Sequence, residues 1–463
     1  MLGKPTQGQK QLSLFGSNLI QLINLDQPLV RLSDIIPWQQ IENQFKHLYA
    51  KVGCPSHPLR KMAGLLLLQY IYKLSDEKVV AVWEQNIYFQ YFSGEACLQW
   101  SQPCAASDLV HFRKRIGEAG VNYLFALCVS LHQEKVKKVQ EVIVDTTVQE
   151  KNITFPTDAK LYKRVIERVN KEAKKLGIKL RQSYVRVVNK LMYLQRYAAL
   201  PKQARKAKKA LSKLKTIAGR QVRDLTRQVS MLGKQKVYRP LLERMQAILS
   251  QTKHSRDKIY SLHEKAVSCI AKGKAGKQYE FGSKVSLASL PGSGVIVGIK
   301  TYQGNPHDST TLASTMEQVK AVTGKIFKRV LLDKGYRGAK LHQGQSSELV
   351  LPGKKGINKQ SYAYVKYKGC CRRRSAIEAR ISHLKYSHKL ERNYLQGAVG
   401  DVLNALLAGI GYNLHLLLLE ISRETNKQAS FLFLFIYLRV VGIKWMAARR
   451  ANIGSYRLAT ILG

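Results

Sequence analysis

Apolar residues recur at helical spacing through residues 30–135, and this pattern predicts a domain made of helices. Residues 60–74 are strongly apolar, as in a helix buried within a core. Ser75 and Asp76 follow and offer an N-cap for the next helix. We therefore predict an all-α domain over residues 1–135.

One helix of this domain is basic. It is expected to begin at Ser107-Asp108 and reads LVHFRKRIGEAG, which brings together His111, Arg113, Lys114 and Arg115. A basic helix in a helical domain is typical of a DNA-binding module, so we predict that the two arginines and the lysine contact DNA. The alternative is an ordinary helical domain with a solvated basic face.

A different pattern begins at residue 141. EVIVDTTV is an apolar, β-branched run that carries Asp145, and it predicts a buried strand that ends in a carboxylate. After Gly276, further strands are predicted in YEFGSKVSLASL and GVIVGIKTY, which are separated by the hairpin-like turn PGSG. KRVLLDKGY gives another apolar strand that ends in Asp333, and SELVLPG gives the last.

Helices complete this second pattern. Asp308 is expected to cap a helix that reads STTLASTMEQVKAVTG, and a final helix is expected over residues 373–390. The order of elements predicts an α/β fold over residues 136–420, a ribonuclease H-like mixed sheet with flanking helices. The remaining tail, residues 421–463, carries no recognisable motif.

A basic segment at about residues 161–275 interrupts the strand pattern. Residues 161–270 hold 29 Lys and Arg against 6 Asp and Glu, a net charge of +23. Stretches such as KQARKAKKALSKLKTIAG are helical in pattern, and Leu211, Leu214 and Ile217 give one face that can pack. We predict a basic helical insert; the alternative is a flexible, solvated arm.

The whole chain is strongly basic. Its 463 residues include 77 Lys and Arg against 30 Asp and Glu, a formal charge of +47. Basic side chains that neutralise phosphates release condensed counterions, so a polyanion is the natural partner of such a protein. Nucleic acid is therefore the predicted partner, and a ribosomal or other RNA-associated protein also fits the charge.

Neither a zinc site nor a membrane span is indicated. The seven cysteines include no C-x-x-C pair, so free thiols in a reducing cytoplasm are expected. The N-terminus lacks the apolar region of a secretory signal. Residues 402–419 carry Asn404, Asn413 and His415, as in a buried helix, and residues 431–438 are too few to span a bilayer. We expect a cytoplasmic, nucleoid-associated protein without a membrane partner.

Three carboxylates occupy positions that suit metal-dependent phosphodiester cleavage. Asp145 and Asp333 each end an apolar strand, the two strands are predicted neighbours, and Glu378 lies in the helix after the last strand. Cleavage with two metal ions requires carboxylates that converge on hard cations, and Mg²⁺ prefers oxygen ligands. Singly, each Asp is a common turn residue and the Glu a common surface ion-pair partner. Their combination favours a metal site.

Two cations flank Glu378 on its helix. Arg374 lies four residues before it and Lys385 seven after it, so the three share one face at about 100° per residue. A carboxylate between two cations can hold a metal while the cations bind phosphates. The alternative is a salt-bridged surface face.

Several stretches resemble the DDE transposases of bacterial insertion sequences. VDTTV, GNPHDSTTL and LLDKGYRG are similar to family segments, and Arg374, Glu378 and Lys385 match the spacing of the family's Tyr-Arg-Glu-Lys signature. Cys371 stands at the Tyr position, which departs from the family pattern. LRKMAGLLLLQYIYKLSDEKVVAVWEQN resembles the helical domain that precedes the catalytic core in one branch. The resemblance covers roughly residues 10–420.

The resemblance implies a catalytic triad of Asp145, Asp333 and Glu378 that holds two Mg²⁺ ions, with Mn²⁺ as a substitute. The first aspartate would bridge both ions, and each of the others would complete the shell of one. The family nicks DNA at the terminal inverted repeats of its element and joins the freed 3′ ends to target DNA. Its members act as oligomers on paired ends. Arg374 and Lys385 would then contact DNA.

Other groups close to these motifs have predicted roles. Lys334 and Arg337 follow the second aspartate closely and are predicted to contact DNA, whereas Tyr336 is either a DNA contact or a core residue. His307 and Asp308 are predicted to form a turn and helix cap, with support of the metal ligands as the alternative.

Two other functions fit part of the sequence. A domesticated, non-catalytic DNA-binding protein would keep the basic surface but lose a carboxylate. An RNA-binding protein would explain the charge but not three carboxylates in this order. Divalent-dependent nicking of the inverted repeats is expected of the transposase alone.

Overall fold

The computed structural model of the chain describes residues 18–50, 52–252, 254–271, 278–342, 345–353 and 361–426. These residues fall into two compact units. One comprises the chain up to Gln133 together with the part from Gly409 onward, and the other comprises Glu134–Ala408. The predicted tail, residues 421–463, lies outside the described residues beyond residue 426.

The first unit is helical, as the sequence predicted. Its helices are Leu19–Leu22 (α1), Pro28–Ile35 (α2), Trp38–Phe45 (α3), Leu59–Ile71 (α4), Asp76–Gln85 (α5), Ile87–Phe92 (α6) and Ala106–Ser130 (α7). Almost every residue of α4 is buried, because its sequence is mostly apolar on all sides. Ser75 is the N-cap of α5, and its Oγ accepts a hydrogen bond from the backbone N–H of Lys78 at 3.1 Å.

Arg113 is buried in α7, and the prediction that it contacts DNA is therefore corrected. The residue is 4% exposed, and its guanidinium donates to Asp76 at 2.8 Å and to Gln69 at 3.2 Å. A buried guanidinium needs such partners, so Arg113 stabilises the packing of α7 against α5. Lys114 and Arg115 are exposed, and their predicted contact with DNA stays a prediction.

The second unit contains a seven-stranded mixed sheet. Its strands are Glu141–Lys151 (β1), Ser268–Ala271 (β2), Tyr279–Ser289 (β3), Ile296–Tyr302 (β4), Arg329–Leu331 (β5), Glu348–Val350 (β6) and Arg392–Asn393 (β7). The remaining helices are Gln133–Lys138 (α8), Asp158–Leu176 (α9), Val185–Gln195 (α10), Pro201–Met231 (α11), Gln235–Ser250 (α12), Asp308–Thr323 (α13), Tyr362–Arg374 (α14), Ala376–Ser387 (α15) and Gly397–Asn426 (α16).

The long strand β1 lies at the centre of the sheet. It pairs antiparallel with β3 and parallel with β5, while β4 pairs with β3 and β6 with β5. Apart from the short strands β2 and β7, the spatial order is β4-β3-β1-β5-β6. This order, with helices alongside the sheet, is the ribonuclease H-like arrangement, which confirms the predicted fold class.

The basic insert is a packed helical subdomain, so the alternative of a flexible arm is wrong for its described residues. Its helices, α9 to α12, lie between β1 and β2 along the chain. Their apolar faces meet in one core that includes Val165, Leu214, Leu225, Met245 and Ile248. The basic residues remain outside this core, because each helix is amphipathic.

The last described helix, α16, contributes to both units. Its length and apolar composition would suit a membrane span, but 78% of its most apolar 18-residue stretch is buried inside the protein. In the second unit, Asn404 donates to Oε1 of Gln149 at 2.8 Å, and in the first, the ring of His132 lies 3.1 Å from the carbonyl of Asn413. Buried polar groups with partners are typical of a core helix, as the sequence predicted for this stretch.

Candidate active site

Two parallel strands bring Asp145 and Asp333 to neighbouring positions. The parallel pairing of β1 with β5 ends with Ile143 opposite Leu331, so Asp145 and Asp333 each lie two residues beyond the last pair on neighbouring strands. Neighbouring strands lie about 4.8 Å apart, so the two aspartates are expected to lie close together. The prediction that these strands are neighbours is confirmed, whereas the prediction that the first strand ends at Asp145 is wrong, because β1 continues to Lys151.

The helix that carries Glu378 covers the face of the sheet from which Asp145 projects. Side chains alternate along a strand, so Asp145 shares the face of Ile143. Ile143 packs in one buried cluster with Cys370 of α14 and Ile377 of α15. Glu378 follows Ile377 directly and is exposed in the first turn of α15.

Arg374 contacts the second aspartate. Its Nη1 atom lies 3.4 Å from Oδ1 of Asp333, and its side chain is 19% exposed. The sequence predicted one helix over residues 373–390, but α14 ends at Arg374 and α15 begins at Ala376, after a turn at Ser375. Arg374 therefore pairs with Asp333, beyond its own helix, which a purely helix-surface ion pair with Glu378 does not describe.

An ion-pair cluster that was not predicted fixes α14 to the sheet. Glu141, the first residue of β1, accepts two hydrogen bonds of 3.0 Å from Arg373 and pairs with Arg329 at 2.6 Å. The Glu141 side chain is only 9% exposed, so these charges interact more strongly than they would at the surface. Because Arg373 directly precedes Arg374, the cluster also fixes the place where Arg374 lies.

Asp308 links strands β1 and β3 next to the candidate carboxylates. Its Oδ1 atom accepts hydrogen bonds from Oγ1 of Thr146 at 2.8 Å and from Nζ of Lys284 at 2.9 Å. The predicted cap is corrected here, because the N-cap of α13 is His307, whose Nδ1 accepts from the N–H of Ser309 at 3.3 Å. Asp308 is instead the first helical residue, and its carboxylate binds the sheet.

The turn after Asp333 packs against the same carboxylate. A Cβ atom on Gly335 would lie 2.9 Å from Oδ2 of Asp308, so only glycine fits there without a shift. Tyr336 is fully buried and is therefore a core residue, one of its two predicted roles. Burial raises the pKa of Tyr336 well above its ordinary value, and the carboxylates of Asp145 and Asp308 raise it further. The phenol therefore stays protonated at neutral pH.

Several basic side chains predicted to bind DNA are accessible near this turn and on α15. Lys334 and Arg337 are exposed in the turn that follows Asp333, and Lys385 is half-buried in the last turn of α15. Cationic side chains close to a carboxylate pair can bind phosphates while the carboxylates bind cations.

The donor set suits a hard divalent cation. Asp145, Asp333 and Glu378 offer only carboxylate oxygens, which Mg²⁺ prefers. Within the described residues, no three side chains of His, Cys, Asp or Glu lie close enough together to hold a metal ion. The two aspartates follow paired residues of neighbouring strands, and Glu378 lies on the covering helix.

Comparisons with known proteins agree with this arrangement. Residues 17–115 match the family described as Transposase domain (DUF772), and residues 250–414 match the Transposase DDE domain. The second match contains Asp333 and Glu378, while Asp145 lies before it, on the other side of most of the insert.

One relative among curated proteins is the "Uncharacterized protein ORF8 in nfe locus" of Rhizobium meliloti. It is 38% identical over 200 residues, which are 42% of this chain and 96% of that protein. No solved structure matches the chain. A helical N-terminal unit, a ribonuclease H-like sheet and both transposase domain matches lead to one conclusion: the chain belongs to the DDE transposases.

Proposed function

We propose that this transposase cleaves DNA at the terminal inverted repeats of its element and joins the freed ends to target DNA, with Asp145, Asp333 and Glu378 as its catalytic residues. The observation that supports the proposal is the pairing of β1 with β5, which ends two residues before both aspartates, together with the packing of Ile377, the neighbour of Glu378, against Ile143. The test is divalent-dependent nicking of a duplex that carries the sequences flanking the gene. Binding without nicking would support a domesticated DNA-binding protein, and preference for RNA would support the RNA-binding alternative.

The three carboxylates would hold two Mg²⁺ ions, and Mn²⁺ would substitute. When bound, such ions supply Lewis acidity that activates the attacking oxygen and stabilises the leaving oxygen of an in-line displacement. Asp145, on the central strand, would serve both ions. Asp333 and Glu378 approach from β5 and α15 and would each complete one coordination shell.

The cations around the carboxylates would hold the scissile phosphate. Arg374 presents a planar guanidinium that can bind a phosphate through two parallel hydrogen bonds, whereas Lys385 acts as a point charge. The Arg374 guanidinium already lies 3.4 Å from the carboxylate of Asp333, so less side-chain freedom is lost when DNA binds. Lys334 and Arg337 would bind phosphates farther along the same DNA strand.

Replacing Arg374 or Lys385 by Ala should slow cleavage of pre-bound terminal DNA by about tenfold or more, because each removes one electrostatic contact from the transition state. Arg374→Lys should recover little of the lost cleavage rate, since an ammonium cannot form the two-point contact. Lys385→Arg should reduce the cleavage rate only mildly. Single-turnover cleavage with saturating protein measures this. Lys366→Ala, which removes an exposed cation of α14, is the matched control. Rates within about threefold of the parent would contradict the role.

We also propose that the insert binds the DNA backbone through an arginine-lined recess of about 840 Å³. Four arginines line it, with one carboxylate, Asp224; they are Arg181, Arg220, Arg223 and Arg227. Asp224 pairs with Arg227 at 3.7 Å, and among the described residues the other three guanidiniums have no ion-pair partner. Excess positive charge in a concave surface attracts phosphates strongly.

The recess is preorganised by Gln221. Its amide Nε2 donates to the backbone carbonyls of Gln182 and Ser183 at 3.0 and 3.1 Å. Gln221 is 3% exposed, so these bonds are sheltered from water and hold the loop that carries Arg181 against α11. A fixed loop keeps Arg181 close to the arginine row of α11.

Arg220→Gln with Arg223→Gln should weaken DNA binding and lower its salt dependence. The slope of log affinity against log salt should flatten by up to about 0.9 for each phosphate that the protein no longer neutralises. Fluorescence anisotropy with a labelled duplex at several salt concentrations measures this. The matched control is Lys213→Gln with Lys215→Gln, which removes the same charge from exposed positions of α11 outside the recess. Equal effects of the two pairs would show that only the total charge matters.

The partners proposed are terminal inverted repeats, target DNA and further copies of the chain, assembled on paired ends. The support is the family to which the chain belongs. The protein would then act in the cytoplasm, at the nucleoid. Mass measurement of the complex with short terminal duplexes tests the assembly, and a single protein copy per DNA end pair would contradict it.

A further inference from the structure

We propose that Asp308 is a positioning residue that fixes the distance between Asp145 and Asp333. The inference rests on the proposed catalytic role of these two aspartates. Asp308 lies in neither strand, yet its carboxylate accepts a hydrogen bond from the strand of Asp145 through Oδ1 and lies against the turn of Asp333 with Oδ2.

The first contact holds the strand of Asp145. Oδ1 of Asp308 accepts from Oγ1 of Thr146 at 2.8 Å, and Thr146 follows Asp145 directly in β1. The two side chains leave opposite faces of the strand, so Asp308 binds β1 from behind the candidate site. A shift of Thr146 would carry the backbone of Asp145 with it.

The second contact limits the turn of Asp333. Gly335 lies two residues after Asp333, and a Cβ atom on residue 335 would lie only 2.9 Å from Oδ2 of Asp308. The next residue, Tyr336, is fully buried beside the same carboxylate. The turn therefore has one packed position against Asp308.

Asp308 is itself held rigidly. Nζ of Lys284 donates to its Oδ1 at 2.9 Å and to the carbonyl of Pro306 at 2.7 Å. The Lys284 side chain is 9% exposed, so little water screens its attraction to the Asp308 carboxylate. Asp308 also begins α13, where the helix dipole favours a negative charge.

These contacts indicate that Asp308 would support the metal ligands and would not itself bind a metal ion. Its Oδ1 atom already accepts from two donors, and it lies on the Thr146 side of β1. Groups that orient ligands commonly affect metal affinity by about 10- to 100-fold. A displacement of about 1 Å at reacting groups can slow a reaction about 100-fold.

The test compares Asp308→Ala with Asp308→Asn in the full chain. Mn²⁺ affinity is measured by electron paramagnetic resonance of the free ion. The rate of cleavage of pre-bound DNA is measured separately, under single-turnover conditions. Asp308→Ala should weaken Mn²⁺ binding and slow cleavage by about 10- to 100-fold each, with DNA affinity within about twofold. Asp308→Asn keeps an oxygen that accepts the hydrogen bond from Thr146, so this variant should retain most of the parent's Mn²⁺ affinity and cleavage rate. Thr146→Val, which removes one hydrogen bond, gives a milder variant if Asp308→Ala does not fold.

Each outcome decides the inference. Mn²⁺ affinity and cleavage within about threefold of the parent in both Asp308→Ala and Thr146→Val would overturn it. If Asp308→Asn is as inactive as Asp145→Asn, Asp308 acts on the reacting groups directly and the positioning role is wrong. If the parent binds Mn²⁺ but cleaves no DNA, the proposed function fails, while the Mn²⁺ comparison still tests the inference. Glu243→Ala, which breaks an exposed ion pair with Arg239 in the insert, is the control.

Discussion

Asp145→Asn, Asp333→Asn or Glu378→Gln should each reduce DNA strand cleavage by about a thousandfold or more and leave DNA binding nearly unchanged. An amide keeps the size of the side chain but loses the charge that attracts a divalent cation. DNA affinity depends mainly on the many cations of the chain, +47 in formal charge, so one carboxylate matters little for it. Cleavage of end-labelled terminal duplex in Mg²⁺, with anisotropy on the same samples, measures both quantities.

The three variants differ in one secondary effect. Asp333→Asn removes the ion-pair partner of Arg374, which lies 3.4 Å away, so its DNA affinity should rise slightly as a cation is released. Glu348→Gln is the matched control, because Glu348 is an exposed carboxylate of β6, the strand next to β5. Near-parental cleavage by any one of the three variants would remove that residue from the catalytic set.

Strong local patterns explain which parts of the fold could be predicted from the sequence. The β-branched run around Asp145 and the apolar run before Asp333 are strands because buried parallel neighbours are apolar on both faces. The two strands that carry the aspartates could therefore be predicted from the sequence alone.

Contacts between distant residues could not be predicted in the same way. Arg113 looked like part of a basic surface, but its partner Asp76 lies 37 residues earlier, on another helix. Asp308 looked like a helix cap because Asp is common there, yet His307 caps the helix and frees Asp308 to bind Thr146 across 162 residues. Spacing along one chain segment carries no information on such partners.

Lys151 is the centre of another such network, which was also absent from the sequence predictions. Its Nζ atom lies 2.9 Å from Asp401 and 3.6 Å from Glu264, and it donates to the carbonyls of Leu395 and Gly397 at 3.0 and 2.9 Å. The side chains of Lys151 and Asp401 are 2% and 0% exposed. The network joins the end of β1 to the segment between α12 and β2 and to the start of α16.

Lys151→Met should lower the free energy of unfolding of the second unit by about 3–5 kcal/mol at neutral pH. The methionine fills the space of the lysine stem, but two buried carboxylates lose their cation. Burial raises the pKa of Asp401 above its ordinary 3.8, and the lysine opposes that rise. Denaturant unfolding followed by circular dichroism gives the free-energy difference.

The loss of stability in Lys151→Met should also depend on pH, with a definite sign. Without the lysine, the pKa of Asp401 rises further, and an acid with a raised pKa favours the folded state only while it is protonated. The deficit relative to the parent should therefore be small near the ordinary pKa of 3.8 and grow as the pH rises toward neutrality. Lys151→Met combined with Asp401→Asn should lose less stability than Lys151→Met alone, because a neutral amide replaces one unpaired charge. A deficit that is independent of pH, or a double variant less stable than the single one, would mean that Lys151 contributes packing and hydrogen bonds but no charge compensation.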